Sequence, residues 1–373
     1  MKICITGDFF LGGDLNDFGQ GVISSEAYYN ADLRIINIEQ AISSNDIVVE
    51  KSTLYAAPDI LKLIEPLQID VAALSNNHIH DKGIPGIHET LDHLRRHSVK
   101  CFGAGKNLAE AEKPLEIGNG LFVLGYCEHS RPYLSKVQVA DTSAPGVNPF
   151  SYKKIVSDLS ELPDGSKAIV HLHWGREHVA LPDRYHIDMA RKIINHPKVA
   201  LLAGMHSHRV QGFVKSGSKK GYLSLGNFLF PNFFIKPRTQ ITYPDNPETA
   251  TYKTTKDYHF VGKLTYKVWR LVNRISLMII YDTETGETEE VPVFQSRNKA
   301  QVRELRGLSK KAVLCYVRFL SKLYLLPDLI YNPLQVVHRR VKQTRRYSYV
   351  LYFLIRQNGL KWTITKAKQY LKK

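Results

Sequence analysis

The chain has 373 residues, 43% apolar and 23% charged, a composition that excludes collagen-like, disulfide-stapled and wholly disordered proteins. Its 51 lysines and arginines exceed its 35 acidic residues, giving a net charge of +16. The whole excess lies in residues 299–373, with 18 basic and two acidic residues, whereas residues 1–298 hold 33 of each. We therefore expect a neutral domain over 1–298 and a basic tail over 299–373.

Short β-branched runs alternate with helical patterns along the first part of the chain. The predicted strands are 2–6, 33–38, 71–74, 121–125, 168–172, 199–202 and 222–225, and the predicted helices are 84–97, 152–162 and 183–195. After an aperiodic segment over 236–262, strands return at 276–282 and 291–294. The alternation predicts an α/β layered domain.

The four cysteines include no CxxC pair, which favours reduced thiols and a cytoplasmic setting. The N-terminus reads as a first strand rather than a targeting segment. The most apolar C-terminal stretch, residues 312–326, falls short of the roughly 20 apolar residues of a membrane-spanning helix. We expect a cytoplasmic protein without a membrane span.

Metal-ligating residue types follow several predicted strands. They are Asp8, Glu39, Asn77, His78, His171, His173, His206 and His208. Because the carboxyl ends of strands with crossover helices meet at one edge of a sheet, these side chains are expected to converge. Mixed carboxylate, amide and imidazole donors suit a divalent ion such as Mn, Fe or Zn.

Each of these residues also has an ordinary structural interpretation. Asp8 after a glycine is typical of a turn or a helix cap, Glu39 of a salt bridge, and Asn77 of a loop. The combination at five strand ends, rather than any single residue, favours a metal site.

Several motifs occur in an order that resembles the CapA family, named for capsule and poly-γ-glutamate synthesis. They are Ile5-Thr6-Gly7-Asp8, Ile36-Asn37-Ile38-Glu39, Leu74-Ser75-Asn76-Asn77-His78 with Asp81, His171-Leu172-His173-Trp174-Gly175 with Glu177, His206-Ser207-His208, and Ser224-Leu225-Gly226-Asn227-Phe228. The resemblance covers roughly residues 1–298. It implies a fold similar to calcineurin-like metallophosphoesterases, a layered sandwich of β-sheets flanked by helices, and a metal-dependent hydrolase of the phosphoesterase type.

The resemblance also implies roles for individual residues. The implied ligands of one or two metal ions are Asp8, Glu39, Asn77, His173, His206 and His208, with Glu39 in the place of the bridging carboxylate. His78 would be the general acid or transition-state stabiliser, with Asp81 as its orienting partner. The implied substrate-binding residues are Trp174, Glu177 and Asn227.

Three further expectations concern the completeness of this site. Phe10 stands where phosphoesterases usually have a histidine, and Met205 where CapA-like sequences commonly have one. A single-metal or weakly binding version of the site is therefore expected. We expect His171 to point away from His173 and to be the weaker ligand candidate.

The tail combines basic and apolar residues at helical spacing. Lys311, Cys315, Arg318 and Lys322 form one stripe of a helix over 310–326, and basic residues at 339–346 precede an aromatic and aliphatic segment over 347–355. Such a pattern suits an anionic membrane surface at the inner face of the membrane. Packing on the domain or on a second subunit is the alternative. Nucleic acid is not expected as a partner, because no nucleic-acid-binding motif accompanies the charge.

Two functions of different classes follow. The first is a metal-dependent hydrolase that acts on a phosphoester or an anionic polymer during capsule or poly-γ-glutamate-type biosynthesis. The second is a non-catalytic accessory or scaffold subunit of a membrane-bound polymer synthase, which the missing histidine at position 10 supports.

Overall fold

The computed structural model describes residues 1–15, 21–49, 51–129, 131, 134, 136–235, 239–241, 259–261 and 264–371. The strands are β1 (Lys2–Phe9), β2 (Ile23–Ser24), β3 (Leu33–Ile38), β4 (Ala41–Ile42), β5 (Tyr55–Ala56), β6 (Val71–Ala73), β7 (Lys100–Phe102), β8 (Ala104–Gly105), β9 (Leu115–Gly118), β10 (Leu121–Cys127), β11 (Gly146–Val147), β12 (Lys167–His173), β13 (Val199–Met205), β14 (Phe213–Ser216), β15 (Lys219–Tyr222), β16 (Asn227–Leu229), β17 (Phe233–Ile235), β18 (Thr239–Ile241), β19 (His259–Val261), β20 (Thr265–Lys267), β21 (Ile275–Asp282), β22 (Thr288–Gln295) and β23 (Val302–Glu304). The helices are α1 (Glu26–Tyr29), α2 (Gly83–Arg96), α3 (Leu108–Ala111), α4 (Tyr152–Glu161), α5 (Arg184–Asn195), α6 (Gly307–Leu323), α7 (Asp328–Asn358) and α8 (Leu360–Leu371), with short 3-10 helices at Pro58–Leu63 and Leu271–Asn273.

The first sheet has the strand order β2-β23-β22-β21-β1-β3-β6-β7, and β16 also pairs with β1. Strands β1, β3, β6 and β7 run parallel, so their carboxyl ends lie at the same edge. The antiparallel strand β21 closes the other side of β1, with Ile5 opposite Ile279. The central strand β1 is therefore flanked on both sides and buried along almost its whole length.

The second sheet has the order β14-β15-β13-β12-β10-β9. Strands β10, β12, β13 and β15 are parallel, while β9 and β14 are antiparallel edge strands. Strand β12 lies between β10 and β13. Its register with β10 is continuous, whereas its register with β13 shifts between Ala168 and Ile169. His173 lies opposite Cys127 on one side and Met205 on the other.

Side chains alternate between the two faces of each strand, and the buried apolar ones form three cores. One of these cores lies between the two sheets, which therefore face each other. Ile5 of β1 and Ile169 of β12 belong to the core between the sheets. Ile36 packs with Leu91 of α2 on the outer face of the first sheet. Val170 packs against helices α4 and α5 on the outer face of the second. The result is an α/β sandwich with helices on both outer faces, in agreement with the layered α/β domain that the alternating pattern predicts.

Most predicted elements appear with small changes at their ends. The predicted strand 2–6 continues to Phe9, so Asp8 lies inside β1 rather than after it. The predicted strand 222–225 is wrong in its bounds, because β15 ends at Tyr222 and Leu225 forms only an isolated bridge with Val210 before β16. In the aperiodic segment 236–262, the structure has β18 and β19, paired antiparallel, and the rest lies outside the described residues.

Helix α6 packs on the body of the protein through its apolar face. Val313, Val317 and Leu320 are buried, whereas Lys311 and Arg318 are exposed. The alternative in which the tail packs on the domain is therefore observed for α6. Across the described residues, no helix combines the length and the apolarity that a bilayer-spanning segment requires.

Candidate metal centre

The proposed metal ligands converge where the parallel strands of both sheets end. Each is at least nine-tenths buried: Asp8 in β1, Glu39 after β3, Asn77 after β6, His173 at the end of β12, and His206 and His208 after β13. The crossover connections of parallel strands explain the convergence, since they bring every carboxyl end to the same edge.

The donor atoms form two groups that share one carboxylate. The ligand atoms of Glu39, His173 and His206 all lie within 4.8 Å of one another, and so do those of Asp8, Glu39 and His208. Glu39 Oε1 lies 3.7 Å from His173 Nε2 and 3.7 Å from His208 Nε2. This arrangement places Glu39 between two clusters of nitrogen and oxygen donors.

Asn77 adds a fourth donor to the first cluster. Its Oδ1 lies 2.7 Å from Nε2 of His173. We call Glu39, Asn77, His173 and His206 the four-donor group, and Asp8, Glu39 and His208 the three-donor group. Four protein donors satisfy a tetrahedral divalent ion, whereas three leave a position open.

Glu39 is a buried carboxylate without hydrogen-bond compensation. It is 0% exposed, and neither oxygen accepts a hydrogen bond from the described residues. Burial raises the pKa of Glu39 well above its usual value, and the nearby carboxylates of Asp8, Glu177 and Asp81 raise it further. Since an uncompensated buried carboxylate is costly, a cation between the two donor groups would stabilise this arrangement.

The two histidines after β13 lie on an unusual backbone. His206 has φ of 80° and His208 has φ of 52°, both in the left-handed region that non-glycine residues rarely occupy. Burial lowers the pKa of His206 to about 4, so its imidazole is neutral at physiological pH. The neutral form is the one that binds metal ions.

His78, Asp81 and Lys51 form a buried chain beside the donor groups. His78 Nδ1 lies 2.6 Å from Asp81 Oδ2, and Lys51 Nζ lies 2.7 Å from Asp81 Oδ1. Burial alone would raise the pKa of Asp81, but Lys51 and His78 lower it below its usual value. The other ring nitrogen, His78 Nε2, lies 3.9 Å from Glu39 Oε1, so the imidazole borders the shared carboxylate.

The three residues assigned to substrate binding have different surroundings. Asn227 Oδ1 accepts a hydrogen bond from His208 Nδ1 at 2.8 Å, which turns Nε2 of that ring toward Glu39. Glu177 is partly exposed and lies beside His178, with 3.7 Å between Oε2 and Nε2.

Trp174, the third of these residues, is 2% exposed. It packs in the core of the second sheet, where its indole N–H donates to the Leu223 carbonyl. The three assignments to substrate stay predictions.

His171 was expected to point away from His173, and this was wrong. Residues two apart in a regular strand share a face, and both belong to β12. His171 is 1% exposed, and its ring packs edge-on against Phe102 of the opposite sheet. It therefore lies between the sheets, on the same face as His173.

Phe10 and Met205 fill apolar space. Phe10 packs against Phe230 and Phe233, with ring centroids 5.4 and 5.6 Å apart, in an aromatic cluster that also contains Trp269. Met205 is fully buried in the core between the sheets. Neither side chain adds a nitrogen donor to the three-donor group.

Sequence reasoning missed several residues of this region. Asn37 Nδ2 donates to Asp8 Oδ1 at 2.8 Å, and a lone asparagine within the apolar run 35–38 was the available signal. Lys51 carried no such signal, because it approaches Asp81 from a segment without periodicity. Trp269, whose ring centroid lies 5.2 Å from that of His208, follows the segment without periodicity.

Comparisons with known proteins give relatives for the region that carries this centre. The chain is 26% identical to the "PGA biosynthesis protein CapA" of Bacillus subtilis over 183 residues, which is 48% of this chain and 47% of that protein. It is 24% identical to the "Capsule biosynthesis protein CapA" of Bacillus anthracis, over 48% of this chain and 44% of that protein. A "Probable polyglutamine synthesis accessory protein" of Mycobacterium tuberculosis is 27% identical over 39% and 41% of the two chains.

The chain spans about half the length of the curated relatives it matches. The family described as "Bacterial capsule synthesis protein PGA_cap" matches residues 3–232, which include every proposed ligand and both members of the His78–Asp81 pair. Since this match covers more than half of the chain, the protein belongs to the PGA_cap family of bacterial capsule synthesis proteins.

Proposed function

We propose that this protein is a metal-dependent hydrolase of the phosphoesterase type, with a metallophosphatase-like fold, that acts in the synthesis or processing of a capsule or poly-γ-glutamate-type anionic polymer. Family membership and the names of the relatives support the biological setting. The observation that carries the chemistry is Glu39, a buried carboxylate that lacks hydrogen-bond donors and stands between two clusters of metal-ligating atoms.

The donor set fits one or two divalent ions such as Mn, Fe or Zn. Neutral imidazoles, carboxylates and one amide oxygen are the ligands these ions accept. The four-donor group would hold the tighter ion, and the three-donor group, which lacks the histidine that phosphoesterases usually have at the position of Phe10, would hold a weaker one. A bound ion would supply Lewis-acid stabilisation of negative charge on the oxygens of the substrate.

The residues around the donors have the proton chemistry that ester hydrolysis requires. His78 would donate a proton to the leaving oxygen through Nε2, because Nδ1 is engaged by Asp81. Lys51 keeps Asp81 ionised and also contacts the backbone carbonyl of Asn77. The ion pair thus orients both the proposed acid and a proposed ligand.

A cation beside the site fits an anionic substrate. Lys267 Nζ lies 4.1 Å from the ring centroid of Trp269, and Trp269 packs against the ring of His208. Burial would raise the pKa of Glu177, but His178, the two proposed histidine ligands and, after them, Lys267 lower it to about 2. We assign Lys267 to the attraction of a carboxylate- or phosphate-bearing substrate.

The basic tail over 299–373 is proposed as a second functional part that contacts an anionic membrane, where a polymer synthase would be met. Its net charge of +16 complements such a surface. Large apolar side chains are exposed on its helices, among them Phe319, Leu329 and Val337. Basic helices with exposed apolar residues bind the boundary of headgroups and acyl chains.

Elemental analysis of the purified protein tests the metal centre. After dialysis without chelator, one or two equivalents of Mn, Fe or Zn are expected in the wild type, with loss in Glu39→Gln. Glu116→Gln, an exposed site of the same chemistry, is the matched control. A wild-type protein that is metal-free and binds no added Mn²⁺ or Zn²⁺ contradicts the proposal of a metal-dependent hydrolase.

An accessory role without turnover is the second candidate. It is favoured by Phe10, which stands where phosphoesterases usually have a histidine, and by the word "accessory" in the name of the mycobacterial relative. Hydrolysis of a generic phosphodiester with Mn²⁺ separates the two functions. Turnover by the wild type that is lost in Asn77→Ala and in His78→Ala supports the enzyme, whereas a metal-loaded protein without turnover supports the accessory subunit.

A further inference from the structure

We propose that helix α7 is a positioning element of the metal centre. It holds the β12–α5 loop (residues 174–183), and this loop in turn holds the segment that carries His206 and His208. The inference rests on the metal centre proposed above, and it assigns the C-terminal region a role in that centre besides any contact with a membrane.

The first step is the set of contacts between α7 and the end of the β12–α5 loop. Tyr331 donates through its hydroxyl to the Pro182 carbonyl at 2.8 Å and is fully buried. Gln335 Nε2 donates to the same carbonyl at 2.6 Å and to Asp183 Oδ1 at 2.7 Å. Arg339 pairs with that carboxylate as well. Asp183, the N-cap of α5, is thus held by two side chains of α7.

The second contact lies nearer to the centre of the loop. The Ala180 amide donates to His338 Nε2 at 3.2 Å. Asp183 also pairs with Arg176, with 3.3 Å between Nε and Oδ2, which ties the residue next to Glu177 to the same anchor. The loop is therefore attached to α7 at two points and closed on itself by an ion pair.

The third step joins the loop to the ligand segment. The His178 amide donates to the Ser207 carbonyl at 2.6 Å, between the two histidine ligands. Gln211 Nε2 donates to the Val179 carbonyl at 2.9 Å. Because His206 and His208 have positive φ values, their backbone persists only if its surroundings hold it. The loop supplies that support from one side.

The fourth step is the anchoring of α7 itself. Arg184 donates to the carbonyls of Tyr324 and Leu326 at 2.8 and 2.6 Å, and its guanidinium lies 4.4 Å from the ring centroid of Tyr331. The turn between α6 and α7 is thereby fixed to the start of α5. Helix α7 is consequently in a defined position from which its side chains can hold the loop.

The test measures Mn²⁺ affinity of the full-length protein by the loss of the free-ion electron paramagnetic resonance signal. The double variant Gln335→Ala/Arg339→Ala is expected to bind Mn²⁺ roughly tenfold more weakly, the low end of the effect for groups that orient ligands without touching the metal. Hydrogen exchange of the peptide over 175–183 should be faster in the same variant. Arg340→Ala, an exposed neighbour on α7, should change neither quantity.

Each outcome decides the proposal. Unchanged affinity and exchange in the double variant overturn the role of α7 and leave the metal centre standing. A wild type that binds no Mn²⁺ overturns both. If the double variant does not fold, His338→Ala replaces it, because that change removes the contact with Ala180 while keeping the anchor at Asp183.

Discussion

Asp81 and His78 form a buried pair in which Oδ2 of Asp81 lies 2.6 Å from Nδ1 of His78, and the other ring nitrogen of His78, Nε2, faces Glu39. The Leu54 amide donates to the same Oδ2 at 2.6 Å, so the carboxylate is fixed by backbone as well as by side chains. Asp81 therefore accepts the Nδ1 proton of His78 and stabilises the doubly protonated ring, the form in which Nε2 can donate a proton. Nε2 points at the shared carboxylate of the two donor groups.

The first prediction concerns this pair. His78→Ala should lower the rate of Mn²⁺-dependent phosphodiester hydrolysis by about 10²–10⁴, the usual contribution of a general acid. Asp81→Asn should lower it less, since the imidazole remains. Metal content, measured on the same samples, should stay at the wild-type level. Full activity in His78→Ala would show that His78 is not the general acid.

The second prediction separates the two donor groups. His206→Ala removes a ligand of the four-donor group, and His208→Ala one of the three-donor group. Titration calorimetry with Mn²⁺ should show that His206→Ala loses the tighter site and His208→Ala only the weaker one. Equal loss of all binding in both variants would show one site that uses both histidines.

The third prediction restores a donor. Phe10→His restores an imidazole two residues after Asp8, where phosphoesterases usually have a histidine, and should tighten the weaker Mn²⁺ site in the same titration. The change also disturbs the aromatic cluster with Phe230 and Phe233, with a cost of about 1–3 kcal/mol in unfolding free energy. Phe10→Leu is the control, because it disturbs the cluster without adding a nitrogen. Tighter Mn²⁺ binding in both variants would contradict the explanation that the added imidazole binds the ion.

Much of the fold follows from local pattern. The strand at 33–38 is observed with the same bounds, and helices α2, α4 and α5 lie within one residue of their predicted bounds, since their apolar positions repeat at 3.6 residues. The missed edge strand β9 and the wrongly placed strand after residue 222 are short, and their pairing depends on distant partners. Local pattern carries no information about such partners.

The candidate site likewise contains residues whose position could be predicted from the sequence and residues whose position could not. Residues at the ends of parallel strands could be expected to converge, because strand direction fixes their position. Lys51 and Gln335 could not, because each contacts the site region from a segment far away in the chain. Trp174 follows a ligand strand as a site residue would, yet its indole belongs to the core of the second sheet.

The fourth prediction concerns stability at low pH. Burial would raise the pKa of Glu128, but hydrogen bonds from His186, the Gly175 amide and Arg131 lower it to about 2. A carboxylate with a lowered pKa in the folded state stabilises the protein above its unfolded pKa of about 4.3, and this contribution is lost as the pH falls toward 2. Glu128→Gln should lose on the order of 2 kcal/mol of unfolding free energy at pH 6 and roughly half of that at pH 3.

Urea denaturation at the two pH values measures this difference. Glu116 is an exposed carboxylate in β9, and Glu116→Gln is the control. Its effect on the free energy of unfolding should show no comparable dependence on pH. If the unfolding free energies of the wild type and Glu128→Gln differ by the same amount at both pH values, the lost contacts do not depend on the charge of Glu128.

The last prediction tests the tail against lipid. Because each basic residue near an anionic bilayer contributes about 1 kcal/mol, Arg318→Glu/Lys322→Glu should weaken binding to phosphatidylglycerol vesicles by at least tenfold in a sedimentation assay. Both side chains are exposed on α6. Arg96→Glu/Lys153→Glu makes the same change of net charge on the neutral domain and should leave binding intact. Equal loss in the two variants would show that net charge alone, rather than the tail, governs the interaction, and vesicles that fail to bind the wild type would leave packing and protein partners as the role of these helices.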